Sequence, residues 1–283
     1  MSARSIGRAF GVTVALAGAL FVVWTAWNEL PRALEHIERI QAGYLSVALV
    51  AFMAQGWISA ATWARLATAR QQPVTIRDAY RAVYAPMLAR YLPGGSAWTI
   101  AATSAASHEV GVRASVAMLG STGIVAIAAI GAVAIAAAVA IGVPLAMLAA
   151  IVVGVGAAIR VFGGPRTRVA ADLALLGALS WIVAGAGHLG IAFALGVDAA
   201  VADRVLAAAA SGWMAGLAAI GVPAGIGVRE AAQTFVLRDA VGGDIAVVIA
   251  LITRAITIVS DIVASTIAWS LSSRRSDARR ASH

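Results

Sequence analysis

Cysteine is absent from this 283-residue sequence, which excludes disulfides, thiolate nucleophiles, CxxC metal sites and thiol-linked lipid anchors. Lysine is absent as well. All 21 basic residues are arginine, so the formal charge of +8 persists at any cellular pH. Charge is scarce overall, 12% of residues against roughly 25% in soluble domains, while 61% of residues are hydrophobic and the mean hydropathy is +0.89. A water-soluble fold is excluded, and no polar stretch is long enough to bury a core of its own; the longest is the terminal Ser272 to His283. Catalytic and nucleotide motifs are missing too. His108-Glu109 opens like a zinc HExxH, but the fifth position is Val112, and neither a Ser-His-Asp spacing nor a nucleotide-binding loop is present. No cofactor, metal or nucleic-acid partner is expected.

What the sequence has in abundance is apolar runs near or above the roughly 18 residues that cross a bilayer. Full crossings are expected at residues 9–28, 44–66, 114–140, 143–161, 170–196 and 245–271. The first, ending in Trp24 and Trp27 without a small-residue cleavage site, reads as a span and not a signal peptide. Between the first two, Leu30, Leu34, Ile37 and Ile40 share one face of an interfacial helix. Two further stretches are interrupted: 79–107 at Pro93, Gly94 and Gly95, and 205–241 at Pro223, Ala224 and Gly225. The limbs of the first hold about 13 and 11 residues, roughly 20 Å and 17 Å of helix against a hydrocarbon core of about 30 Å. Both stretches therefore read as re-entrant hairpins, although Val205 to Val222 is long enough for tilted crossings. The expected architecture is all-α and polytopic: six transmembrane helices plus two re-entrant hairpins, in one domain spanning the chain.

Arginines sort by side. With the N-terminus inside, cytoplasmic segments hold Arg4, Arg8, Arg65, Arg70, Arg77, Arg81, Arg113, Arg160, Arg166, Arg168, Arg274, Arg275, Arg279 and Arg280. Outer segments hold only Arg32, Arg39, Arg204 and Arg238, while Arg90, Arg229 and Arg254 fall at membrane depth. This asymmetry puts both termini in the cytoplasm, as expected for a multi-pass protein of a bacterial cytoplasmic membrane. The basic tail Arg274 to Arg280 also resembles a segment drawn to anionic headgroups, although orientation alone accounts for it.

The halves correspond at an offset of about 130 residues, Pro93 and Gly95 falling on Pro223 and Gly225. Each half, 9–140 and 143–271, is helix, helix, hairpin, helix. Three crossings is odd, so the second half enters the membrane inverted. Inverted repeats with matching Gly/Pro-broken segments point to a transporter whose site lies at the repeat interface near the midplane.

Ionisable groups at that depth are functional candidates by default. In the last span Arg254, Thr257, Asp261 and Ser265 form one polar stripe facing the protein interior. Arg90 precedes the first break; Arg229 and Glu230 follow the second and, being adjacent, need separate partners. Each break also starts a half-helix, with Ser96 as an N-cap for one and Gly225 to Gly227 leading into the other, offering N–H groups and a positive helix end. Three arginines and two carboxylates beside such ends suit a phosphate. The bland alternative is that the charges only lock the hairpins, Arg254 pairing with Asp261. His188, among Gly185, Gly187 and Gly190, reads as a packing residue before a proton relay.

The stretch Gly221-Val-Pro-Ala-Gly-Ile-Gly-Val-Arg229-Glu230, with Arg90-Tyr-Leu-Pro-Gly-Gly95 earlier, resembles the lysylphosphatidylglycerol synthase transmembrane-region family. The likeness covers nearly the whole chain. Ala224 stands where that family usually has a second glycine, and Trp98 where a small residue is more usual. The family's cytoplasmic aminoacyl-transfer domain has no counterpart, so the resemblance implies translocation and not lysyl transfer. Together with the membrane-depth charges, it gives an expected headgroup-binding set of Arg90, Pro93, Gly94, Gly95, Ser96, Pro223, Gly225, Gly227, Arg229, Glu230, Arg254, Thr257 and Asp261. The expected partner is a membrane lipid with a phosphate-containing headgroup, a phospholipid or polyprenyl-phosphate glycolipid, with a lipid-modifying enzyme or glycosyltransferase, or a second copy, as further candidates. The competing expectations are an intramembrane lipid enzyme using Glu230 or Asp261 as general base, an accessory subunit, and a small-solute carrier.

Overall fold

The computed structural model describes residues 40–91, 103, 106–107, 110–219 and 222–280. Within them lie eight α-helices and no strand: α1 (Ala42–Ala69), α2 (Ile76–Tyr84), α3 (Ala114–Ala140), α4 (Leu145–Phe162), α5 (Pro165–Ala194), α6 (Ala202–Ala218), α7 (Val228–Val241) and α8 (Gly243–Arg280). Five are long and apolar enough to cross a membrane: α1, α3, α4, α5 and the Gly243–Leu271 part of α8. The chain is a helical, multi-pass membrane protein. The expected span 9–28, the interfacial helix ahead of Ile40, the break at Pro93 to Ser96, and His108-Glu109 lie outside the described residues.

Helix ends follow local chemistry. α3 coincides with the apolar run, bounded by Arg113 in extended conformation and by Gly142 at φ 73°. α4 starts after Pro144, two residues later than expected, and Pro165 opens α5 five residues early, its fixed φ preorganised for the first helical position. α2 is capped by Thr75, whose hydroxyl accepts from the Asp78 backbone N–H at 3.1 Å. That first limb does not run straight to Pro93. The α-helix ends at Tyr84 ahead of Pro86, which lacks the N–H to continue it, and the chain proceeds as a 3-10 turn over Met87–Tyr91.

α1 and α5 form the central pair. Gln55 Nε2 donates to Ser180 Oγ at 3.4 Å and Arg65 Nε to Asp172 Oδ2 at 2.6 Å, so the two helices run antiparallel. Glycine permits the approach: a Cβ on Gly187 would lie 2.9 Å from the Phe52 ring and one on Gly190 3.0 Å from the Tyr44 carbonyl. Asp172 also pairs with Arg160 Nε at 2.5 Å, tying α4 to the same end. Around this pair the contacts come in matched sets: α1 with α2 and α5 with α6, α1 with α3 and α5 with α8, α2 with α8 and α6 with α3.

α6 and α7 fold back on each other. A side chain at Gly212 would meet Gln233, one at Gly216 would meet Arg229, and one at Gly225 would come within 2.7 Å of Gly216 Cα. The limbs are therefore antiparallel, joined through a 3-10 turn at Pro223–Gly225. Two apolar cores result. One gathers Trp63, Tyr80, Tyr84, Val112, Ala264 and Ala268; the other Phe52, Ile191, Val205, Leu237, Ala246 and Ile249. Along α8 they are separated by the segment from Arg254 to Asp261.

Candidate functional site

That segment sits at the centre of the apolar stretch of α8, whose 29 residues Gly243–Leu271 have Thr257 as their midpoint. Asp261 is buried, and its carboxylate is taken by the first broken segment. Tyr91 donates its hydroxyl to Oδ2 at 2.6 Å, and Arg90 Nη1 stands 3.2 Å from the same oxygen and 3.5 Å from Oδ1. One turn on, Ser265 Oγ donates to the Tyr84 carbonyl at 2.9 Å, satisfying one of the acceptors left open where α2 ends.

Arg254 faces the second broken segment. Its Nη1 donates to the Ala224 carbonyl at 3.3 Å, and its Nε lies 3.6 Å from Glu230 Oε1. The second distance makes an ion pair but is too long for a hydrogen bond. Glu230 is instead held at home, its Oε2 accepting from the Gly227 backbone N–H at 2.6 Å. This changes the expectation for Gly227 and the helix start. At the start of α7 the carboxylate of Glu230 takes the Gly227 N–H, while Arg254 Nε and Nη2 find no hydrogen-bond acceptor among the described residues.

The alternative pairing of Arg254 with Asp261 does not form. Seven residues separate them by about 10.5 Å along the helix axis, and each finds a nearer partner on a different broken segment. Thr257, between them, turns its hydroxyl back onto its own helix, donating to the carbonyls of Thr253 and Arg254. It lies within the site without reaching its other members.

Arg229 takes a third position. Its aliphatic stem lies over Gly216 and Gly225, where any side chain would displace it. Its guanidinium is within electrostatic reach of Arg90, Arg254, Glu230 and Asp261. Three guanidinium nitrogens in this centre are buried with no hydrogen-bond acceptor among the described residues: Nε of Arg229, and Nε and Nη2 of Arg254. Three cations against two carboxylates leave one surplus positive charge. The Nε and Nη2 hydrogens of Arg254 point from one edge of the plane, the fork that matches two oxygens of a carboxylate or phosphate.

Pro223 starts the turn, and Ala224 within it adopts φ 50°, ψ 19°, the left-handed region that disfavours a side chain. Gly225, at φ 67°, closes the limbs. Pro93, Gly94, Gly95 and Ser96 lie outside the described residues. His188 packs, as expected, with Nδ1 2.8 Å from the Ala184 carbonyl and its ring edge-on to Phe52 at 5.1 Å.

The sequence reading overlooked Tyr91. Its ring lies with the Arg90 guanidinium 5.6 Å and the Arg254 guanidinium 5.4 Å from its centroid, so one aromatic joins the first broken segment to α8. A hydroxyl-bearing aromatic directly after a membrane-depth arginine was the available signal. Among the described residues no group of three or more His, Asp or Glu is placed to hold a metal ion. Comparison with protein-family models, curated proteins and solved structures finds no match to this chain.

Proposed function

We propose that the chain is a lipid translocase that moves a phospholipid or polyprenyl-phosphate glycolipid between leaflets. The observation that carries this reading is that Nε and Nη2 of Arg254, buried at the middle of a membrane span, have no hydrogen-bond acceptor among the described residues, with Glu230 no nearer than an ion pair at 3.6 Å. A buried donor without an acceptor costs on the order of 1–3 kcal/mol, more when charged, so two on one edge are better explained by a ligand than by the fold. A phosphate placed there neutralises the surplus charge and draws on Arg229 and Arg90. Glu230 and Asp261 hold the arginines between turnovers, so that an empty site is not bare buried charge.

Transport needs a second opening, and the arrangement of helices supports one. Exchanging α1 with α5, α2 with α6 and α3 with α8 leaves the contacts among these six helices unchanged, and the antiparallel α1 and α5 are what an inverted repeat about an axis in the membrane plane requires. In this reading residues 9–28 supply the sixth span as the counterpart of α4. The two broken segments are re-entrant hairpins, with α6 and α7 about 25 Å and 21 Å long against a core of about 30 Å. Both termini are cytoplasmic in a bacterial inner membrane. The resemblance to the lysylphosphatidylglycerol synthase transmembrane-region family favours the same conclusion.

The full engagement of Asp261 by Arg90 and Tyr91 favours one rival, an accessory subunit whose charges are sealed. Reconstitution separates the two. In vesicles carrying a fluorescent phosphatidylglycerol, quenching of the inner-leaflet label over time reports flipping. Arg254→Ala and Arg229→Ala are expected to abolish it, and wild-type rates in both variants, or no flipping by the wild type, would overturn the translocase reading.

A further inference from the structure

Away from the charged centre, a cavity of about 330 Å³ opens between α1 and α3, lined by Leu66, Arg70, Val116, Leu119, Gly123 and Ala126 among others. Its wall on α3 runs from Val116 to Ala126, about 15 Å of helix, half of the roughly 30 Å hydrocarbon thickness. Leu119 and Ala126 are exposed, and the glycine at 123 keeps the wall low, since a Cβ there would lie 2.7 Å from Leu66 Cδ1. An apolar trough of this depth on a bilayer-crossing helix pair is filled by hydrocarbon.

Charge at one end selects which hydrocarbon. Arg70 terminates α1 and lines the cavity. The Gln72 side chain accepts from the Arg113 backbone N–H at 2.9 Å, which brings the start of α3 beside the end of α1. Arg70, Arg77 and Arg113 are exposed and none has a carboxylate partner among the described residues. The nearest acid in sequence, Asp78, is paired with Arg81 at 3.3 Å.

We propose that this groove binds an anionic phospholipid, one acyl chain lying along α3 between Val116 and Ala126 and the phosphate held by Arg70 and Arg113. The site is separate from the central cluster and does not depend on translocation. Unpaired basic residues beside membrane helices attract anionic headgroups in this way, and the groove turns a diffuse attraction into a stoichiometric site.

Native mass spectrometry of the detergent-solubilised full chain, with phosphatidylglycerol or phosphatidylcholine of equal chain length added, tests it. The wild type is expected to retain one phosphatidylglycerol about tenfold better than phosphatidylcholine. Arg70→Gln with Arg113→Gln should remove the preference, while Arg238→Gln, at an exposed arginine on α7, should keep it. Ala126→Trp, or Leu119→Trp if the first fails to elute as a folded species, should fill the groove and reduce retention of both lipids. Preference unchanged in the double variant overturns the headgroup assignment. Retention unchanged in the filled-groove variants overturns the groove, as it would if another copy or the chain's own run 9–28 covers it. Displacement of the lipid by inorganic phosphate alone would mean a free-anion site and overturn the acyl contact.

Discussion

The hydroxyl of Tyr91 donates to Asp261 Oδ2 at 2.6 Å across 170 residues of sequence. This bond docks the first broken segment on α8, and Arg90 reinforces it through the same carboxylate. Tyr91→Phe keeps the ring between the two guanidinium groups and removes only the donor. It is expected to destabilise the solubilised protein by about 1–3 kcal/mol, read as a lower midpoint in thermal unfolding. Combined with Asp261→Asn the loss should be smaller than the sum of the single losses, because both remove one interaction; strict additivity would mean the two side chains do not couple.

Glu230 and Arg254 are matched in charge but not in hydrogen bonding, and this separates two substitutions. Glu230→Gln retains an amide oxygen for the Gly227 N–H while removing the negative charge 3.6 Å from Arg254 Nε. Headgroup retention should tighten several-fold, because the competing charge is gone. Arg254→Gln removes the open fork and should weaken retention at least tenfold. Weaker retention in Glu230→Gln would show that Glu230 helps to bind the ligand and does not compete with it.

Legibility of the fold tracks how local each determinant is. The run at 114–140 matches α3 residue for residue because Arg113 and Gly142 bound an uninterrupted apolar stretch. The start of α5 was placed late because Arg166 and Arg168 look like loop, yet polar residues extend a helix once Pro165 has set its first φ. The break near Tyr84 was missed because Pro93-Gly-Gly is a louder signal than the single Pro86. Candidate charges could be named from depth alone, since five ionisable residues stand out in apolar sequence. Their pairing could not. Asp261 and Arg90 are 171 residues apart, and only the packed helices decide that Asp261 meets Arg90 while Arg254 meets the second turn. Tyr91 escaped notice because an isolated tyrosine in an apolar run looks like packing.

Ala224 occupies the left-handed region at φ 50° within the second turn, a conformation that costs a non-glycine residue about 1–2 kcal/mol. Ala224→Gly should therefore raise the unfolding midpoint, by somewhat less than that amount because glycine also gains freedom in the unfolded chain. Ala224→Val should lower it, a β-branched side chain being least tolerated there. The Ala224 carbonyl that accepts from Arg254 Nη1 is backbone, so headgroup retention should survive the glycine variant. A destabilised Ala224→Gly would mean that the turn does not hold this backbone geometry in the membrane.

The antiparallel closure of α6 on α7 can be tested by cross-linking, and the absence of native cysteine makes the experiment clean. A Cβ at Gly212 would lie 2.5 Å from Gln233 Cγ, so the two positions face each other at close range and cysteines there are set against one another. Gly212→Cys with Gln233→Cys should oxidise to an intramolecular bridge that shifts mobility on non-reducing gels and protects the protein from thermal unfolding. Phe235 is exposed on α7 and its arene carries the Arg238 guanidinium 4.5 Å from the centroid. Gly212→Cys with Phe235→Cys should therefore stay reduced under the same oxidant. Equal bridging in the two pairs, or bridging only in the second, would mean that the limbs do not close in this register. The Gly216 and Gly225 contact that seats Arg229 would then have no basis.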